Sequence, residues 1–379
     1  MFRWDLDKTY LKTEFDTVRD LVRTARLTAE QRENIPGSAA LLRAIKASTE
    51  RPDAHEVHFI SGSPDLIRAV IEKKFNLDGF QPDGFELKPT LSDVFRGRFR
   101  AVRAQVAYKL AHLFQGRARV PIGTPETLFG DDAEQDAFIY SLYADAIEGA
   151  VSPDEVMDLV DRAGAYPDQV RAIREGLESI VHEPAVSRIV IHLDRHTPLE
   201  AFDPYLPRVV PISNHLQTAI VLVLDGTLPA EVVRLVAQEL LDRYHFEPER
   251  LNEVAEEILR RRRAEPHPVG YRRFARELRA LDPARPPPTP RDSADLSGAK
   301  VEETASILAA AADVAERLQA DASASPEPRR RDYQALWDAE LERAEAYRRA
   351  KREARRNGEE NGSGDVDPDA VGRDPDSQG

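Results

Sequence analysis

The chain has 379 residues, is 41% hydrophobic and carries a net charge of −14. Its length suits one large domain or two ordinary ones, and its acidic balance argues against wholesale binding to nucleic acid or anionic membrane. With no cysteine in the sequence, disulfides, thiolate zinc sites and cysteine catalysis are excluded. No apolar run approaches a membrane span, and the N-terminus lacks the basic start and apolar stretch of a signal peptide. A cytoplasmic protein is the expectation.

The first line reads MFRWDLDKTY. Phe2 and Trp4 predict a buried strand that ends in two carboxylates, Asp5 and Asp7. A helix is predicted over 16–26, where Val18, Leu21, Val22 and Ala25 share a face. Pro36 and Gly37 break the pattern, and a second helix is predicted over 39–47. EVHFISGSP then predicts a strand at Val57, Phe59 and Ile60, closed by a tight turn over 61–64. Pro64 suits the first turn of a helix over 65–74. Strand, helix, strand, helix is the grammar of a parallel sheet with crossover helices.

Residues 85–87 predict a short or edge strand. A basic stretch follows over 95–113, mostly helical, with Arg96, Arg98, Arg100, Arg103 and Lys109. Lys109 is the only lysine between Lys88 and Lys300 in a chain otherwise rich in arginine. Residues 127–129 predict a strand that stops at Gly130 and three acids, Asp131, Asp132 and Asp136; a helix is expected from Glu134 to Ile147. Two helices are predicted over 152–182, strands over 189–191 and 219–224, and helices over 228–244 and 253–263. Arg260 to Arg263, with Arg272, Arg273, Arg276 and Arg279, are interleaved with glutamates and read as solvated helical faces. From about residue 282 the composition predicts a Pro-rich linker, charged helices over 301–318 and 332–356, and a disordered acidic tail. The domain boundaries expected are 1–245 for the main α/β domain, with a helical insertion at about 150–185, then a helical extension over 246–281, then the C-terminal region over 282–379.

Three predicted strand ends thus carry polar groups: Asp5 and Asp7; Ser61; and Asp131, Asp132 and Asp136. In a parallel α/β sheet the carboxyl ends of neighbouring strands converge on one crevice. Side chains two apart on an extended segment point the same way. Carboxylates collected there need a cation, and oxygen ligands without His or Cys favour Mg²⁺ over zinc. His182, His192, His196 and His215 show no metal-ligand spacing, although His192 and His196 lie near a strand end.

These residues resemble the motifs of the haloacid dehalogenase-like (HAD) superfamily. Asp5-Leu6-Asp7-Lys8-Thr9 is similar to its first motif, Phe59-Ile60-Ser61 to its second, Lys109 to its third and the segment Gly130 to Asp136 to its fourth. The wording SGSP, then YKL, then GDD with a following IY resembles most the catalytic domain of HAD-type phosphatidate phosphatases, over about residues 1–148. Lys8 departs from that pattern, which usually carries an acid there. The resemblance implies a HAD-like Rossmannoid parallel sheet with helices on both faces and little or no cap. It implies a Mg²⁺-dependent phosphohydrolase in which Asp5 attacks phosphorus and Asp7 serves as general acid and base. Ser61 would hydrogen-bond a phosphoryl oxygen, and Lys109 would neutralise charge. Asp131, with Asp132 or Asp136, would hold the metal together with Asp5 and the backbone carbonyl of Asp7. An open site suits a bulky phosphomonoester such as phosphatidate, and the charged C-terminal region would contact a protein or a membrane surface. Nucleic acid is not the expected partner. The alternatives are a non-catalytic scaffold on an inactive core, and a nucleic-acid end phosphatase using Arg96 to Arg103 as a basic groove.

Overall fold

The structure is a computed structural model that describes residues 1–13, 27–47, 55–88, 102–265, 267–285, 301–318 and 330–357. The helix expected over 16–26, the Arg96 to Arg100 part of the basic stretch, the 286–300 part of the linker and the acidic tail lie outside these residues. In chain order the elements begin with β1 (Phe2–Asp5), α1 (Ser38–Ala47), β2 (Val57–Pro64), α2 (Arg68–Leu77) and β3 (Gly84–Lys88). They continue with α3 (Val102–Arg117), β4 (Glu126–Asp131), α4 (Asp136–Ile147), α5 (Pro153–Arg162), α6 (Pro167–Ser179), β5 (Val186–His192) and β6 (Val209–Ile212). The rest is helical: α7 (His215–Leu224), α8 (Glu231–Asp242), α9 (Pro248–Arg261), α10 (Tyr271–Arg279), α11 (Val301–Leu318) and α12 (Tyr333–Asn357).

The six strands form one sheet in the order β3-β2-β1-β4-β5-β6, and every neighbouring pair is parallel. The chain starts at β1 in the middle, builds outward through β2 and β3, then returns to the other side of β1 with β4. The direction of winding therefore reverses between β1 and β4, which is where ligands bind in open parallel sheets. Alternation along β1 sends Phe2 and Trp4 to one face and Arg3 and Asp5 to the other. On the first face Trp4 stacks on Phe129 with ring centroids 4.0 Å apart, and both join a core that includes apolar residues of α1, α7 and α8. On the second face lies α3. Gly116 of α3 leaves room for the guanidinium of Arg3, because a Cβ there would meet Arg3 Nη1 at 2.5 Å. Arg3 in turn pairs with the buried Glu126 at 2.9 Å.

Two expectations at the far side of the sheet are corrected. The run over 219–224 is not a strand but the second half of α7, all ten of whose residues are buried. A helix buried on every side has no polar face to reveal its period, so β-branched residues mimic a core strand. Asn214, whose side chain caps the helix at the Leu216 N–H, marks its true start. The strand that occupies this edge is β6, which contains Pro211; an edge strand tolerates a residue with no N–H. The expected helix over 65–74 begins later, as a 3-10 turn at Asp65–Ile67 leads into α2. β2 itself runs on to Pro64, with a shift of register against β3 between Ile60 and Pro64.

The insertion holds two helices, α5 and α6. Ser152 and Glu155 close a capping box at the first, with Pro153 in its first turn. One compact unit runs from Met1 to Arg331, and a second begins at Asp332. α11 belongs to the first: Ile307, Leu308, Ala311 and Ala315 are buried in the same core as α8, α9 and α10. None of the described helices is long and apolar enough to cross a membrane.

Candidate active site

β1 ends at the switch point with Asp5, and the chain then turns sharply. Lys8 takes a left-handed conformation, φ 58°, and the Leu6 carbonyl accepts from the Tyr10 and Leu11 N–H groups. This turn holds Asp7 beside the end of β2. Two histidines fix it from the β5 side. His192 Nδ1 lies 2.8 Å from the Lys8 carbonyl, and His215 Nε2 lies 3.2 Å from that of Thr9. Both act as donors there, since a carbonyl only accepts. Burial lowers both imidazole pKa values, His215 to about 3, so the rings are neutral at neutral pH.

Asp5 is 1% exposed, and among the described residues neither of its carboxylate oxygens accepts a hydrogen bond. Its nearest charge partner is Lys109 Nζ, 3.5 Å away. α3 delivers that ammonium to the middle of an acidic ring. It bonds Asp136 Oδ1 and lies 3.1 Å from Glu134 Oε2. Burial pulls Lys109 down, yet Asp136 and Asp5 outweigh it and hold the ammonium well above its ordinary pKa.

The acids after β4 divide their tasks. Asp131 Oδ1 accepts from the Ala133 and Glu134 N–H groups, while its Oδ2 is buried with no hydrogen bond. Asp136 is committed to Lys109 and, through Oδ2, to the Asp131 N–H at 3.1 Å. Gly130 makes that approach feasible, because a Cβ there would lie 2.2 Å from Asp136 Oδ2. Asp132 is not in the cluster. Its oxygens accept from the Arg195 and Thr197 N–H groups at 2.8 and 2.9 Å, which pins the loop after β5.

Neither Asp132 nor Asp136, the two alternatives for the second metal acid, joins the set of ligand atoms closest together. That set is Asp5, Asp131 and Glu134, all within 4.8 Å of one another. Glu134 was missed in the sequence because it sits mid-turn, where acids are common; only its spacing of three from Asp131 hinted at it. Burial raises Asp5 well above the ordinary carboxylate range against the pull of Lys109. Burial and the neighbouring Asp136 and Glu134 do the same to Asp131. Burial would also raise Glu134, but the charge and hydrogen bond of Lys109 keep it low. Buried carboxylate oxygens without donors, gathered at one point, are a donor set that a hard cation fits.

The sequence-predicted residues Asp5, Asp7, Ser61, Lys109, Asp131 and Asp136 are thus brought to one crevice. Ser61 does not cap the following helix, which begins at Pro64 without a side-chain cap. Its hydroxyl points to Asp7 Oδ2, 3.0 Å away, and its carbonyl accepts from Tyr108 at 3.0 Å. Burial raises Asp7 to about 6, with the Glu134 charge adding to it and the Ser63 and Ser61 hydroxyls opposing it. Lys8, the departure from the expected motif, pairs with Asp194 at 3.0 Å. The arginine-rich helices form no single patch. Arg260 and Arg273 pair with acids one turn away on their own helices, whereas Arg262 is buried beside Glu265. Segments 14–26 and 89–101, on which a cap or the Arg96 to Arg100 groove depends, lie outside the described residues, as does the Arg103 side chain. No family model, no curated protein and no solved structure matches the chain.

Proposed function

We propose that the chain is a Mg²⁺-dependent phosphohydrolase of the HAD type that acts on phosphomonoesters. The observation that carries this reading is Asp5. It is a buried carboxylate with both oxygens free of hydrogen bonds, 3.5 Å from a buried ammonium, at the switch point of a parallel sheet. Leaving a buried polar group unbonded costs about 1–3 kcal/mol, and a fold keeps such a group where its oxygens are used.

Asp5, Asp131 and Glu134 would hold the metal, and oxygen-only donors suit Mg²⁺. When bound, the ion would supply positive charge to a phosphoryl group beside these acids. The protein's own residues account for the rest. An Asp5 oxygen forms a bond to phosphorus as the ester P–O bond breaks, and the departing oxygen takes the bonding pair and a proton from Asp7. Water then attacks the aspartyl-phosphate and gives its proton to Asp7, which returns Asp5 as carboxylate and releases inorganic phosphate. An Asp7 pKa of about 6 suits a group that must both give and take a proton. Lys109 offsets charge on Asp5 and on the phosphoryl group, and Ser61 donates to a phosphoryl oxygen.

The test is hydrolysis of para-nitrophenyl phosphate by the purified chain with Mg²⁺, with excess chelator, and after Asp5→Asn. Turnover that needs the metal and vanishes in the variant supports the reading. Equal, negligible rates in all three, with no Mg²⁺ binding by calorimetry, would favour the scaffold. Phosphatidate heads the later substrate screen, because the resemblance around SGSP points to it.

A further inference from the structure

The motif after β2 supplies two hydroxyls to the site. Ser61 Oγ and Ser63 Oγ both donate to the same oxygen, Asp7 Oδ2, at 3.0 and 2.8 Å. They can converge because residues two apart on an extended strand share a side. The Ser63 N–H also donates to Ser61 Oγ at 3.0 Å. The other oxygen, Asp7 Oδ1, is buried and accepts no hydrogen bond among the described residues.

On the phosphohydrolase reading, we propose that Ser63 is a positioning residue for the general acid. It anchors Oδ2 so that Oδ1 is the oxygen that carries the proton to the leaving group. The reason lies in the count of protons. A serine hydroxyl has one to donate. When Ser61 gives its proton to a phosphoryl oxygen, it releases Asp7. Ser63 is then the hydroxyl of the pair that still holds the carboxyl, whose terminal torsion is otherwise soft. The Ser63 N–H meanwhile occupies a lone pair of Ser61 Oγ, which leaves the Ser61 proton to be directed at Asp7 or at substrate. In the step concerned, the Asp5 O–P bond forms and the ester P–O bond breaks. The proton on Asp7 Oδ1 moves to the departing oxygen.

The test compares wild type, Ser63→Ala, Asp7→Asn and the double variant, as full-length Mg²⁺-loaded protein. The substrates are aryl phosphates of similar size, from para-nitrophenyl to para-methoxyphenyl. The nitrophenolate leaves readily without a proton, whereas the methoxyphenolate needs one. Removing well-placed general acid help costs about 10- to 100-fold. Ser63→Ala should therefore lower kcat/KM by about 10-fold on the methoxyphenyl ester and by less than about 3-fold on the nitrophenyl ester. Adding Ser63→Ala to Asp7→Asn should cost nothing more, since the group it positions is gone. Ser63→Thr, which restores a hydroxyl, should recover the methoxyphenyl rate. If Ser63→Ala does not fold, Ser63→Cys, of similar size and a weak donor, takes its place with the same expectation. Equal losses on both esters, no loss on either, or full additivity with Asp7→Asn would overturn the role. If wild type turns over no ester, or Asp5→Asn leaves its turnover intact, the phosphohydrolase reading fails and this role falls with it. A leaving-group-blind Ser63 variant of an Asp5-dependent enzyme defeats the positioning role alone.

Discussion

Asp5 and His215 show opposite solutions to burying an ionisable side chain. His215 is held neutral, with Nε2 on the Thr9 carbonyl and Nδ1 3.3 Å from the Thr218 hydroxyl. Its pKa falls from 6.5 to about 3. A depressed folded pKa gives stability that is complete above the unfolded value. It is lost as pH drops from about 6.5 toward 3, at up to about 1.4 kcal/mol per pH unit. His215→Gln should flatten this slope, read from urea midpoints at pH 7, 5.5 and 4.5; parallel curves for the two proteins would refute the assignment. Asp5 instead keeps its charge machinery and strains the fold. Without a cation, Asp5→Asn should raise unfolding stability by about 1–2 kcal/mol, because a buried carboxylate among like charges is relieved. A loss of stability would make Asp5 a structural residue.

At the level of elements, the site depends on how two turns are closed. Gly130 lets the end of β4 lie against Asp136. Gly130→Ala would drive a methyl into the carboxylate that holds Lys109 and the Asp131 N–H. The expected result is a loss of about 1–3 kcal/mol together with weaker metal binding by calorimetry. An unchanged affinity would show that Asp136 does not set the position of Lys109 and Asp131. α7 teaches a different lesson. Its cap at Asn214 is the one polar signal in an otherwise apolar helix, and Asn214→Ala should cost about 1 kcal/mol, measured by thermal or urea unfolding.

For the molecule as a whole, the compact unit reaches Arg331, beyond the composition change at about residue 282. α11 shows why: its small and apolar residues complete the core formed with α9 and α10. A chain ended after Arg331 should therefore fold with the metal-dependent turnover of the full chain. One ended after Arg285 should expose that core and aggregate or melt early. Equal melting temperatures for the two truncations would overturn this boundary. Mg²⁺ should stabilise wild type by about 2.7 kcal/mol at a hundredfold excess over its Kd, and should leave Asp5→Asn nearly unmoved. Calorimetric melting with and without the ion distinguishes the two.

Local pattern was enough for the opening strand with Asp5 and Asp7, the parallel α/β class, the capped insertion helices and the candidates Ser61, Lys109 and Asp131. Each follows from periodicity, a cap or an isolated charge, which are interactions between near neighbours in the chain. Other features rest on contacts between distant segments. α7 is a helix because its surroundings bury every side of it. Asp132 is drawn away by the loop after β5, and Asp136 by Lys109, which leaves Glu134 beside Asp131. The pairing of Ser61 and Ser63 on one oxygen of Asp7 arises only where β1 and β2 end side by side. Which acid faces the ion, and which hydroxyl faces the acid, is decided by the register of the strands and the packing of α3.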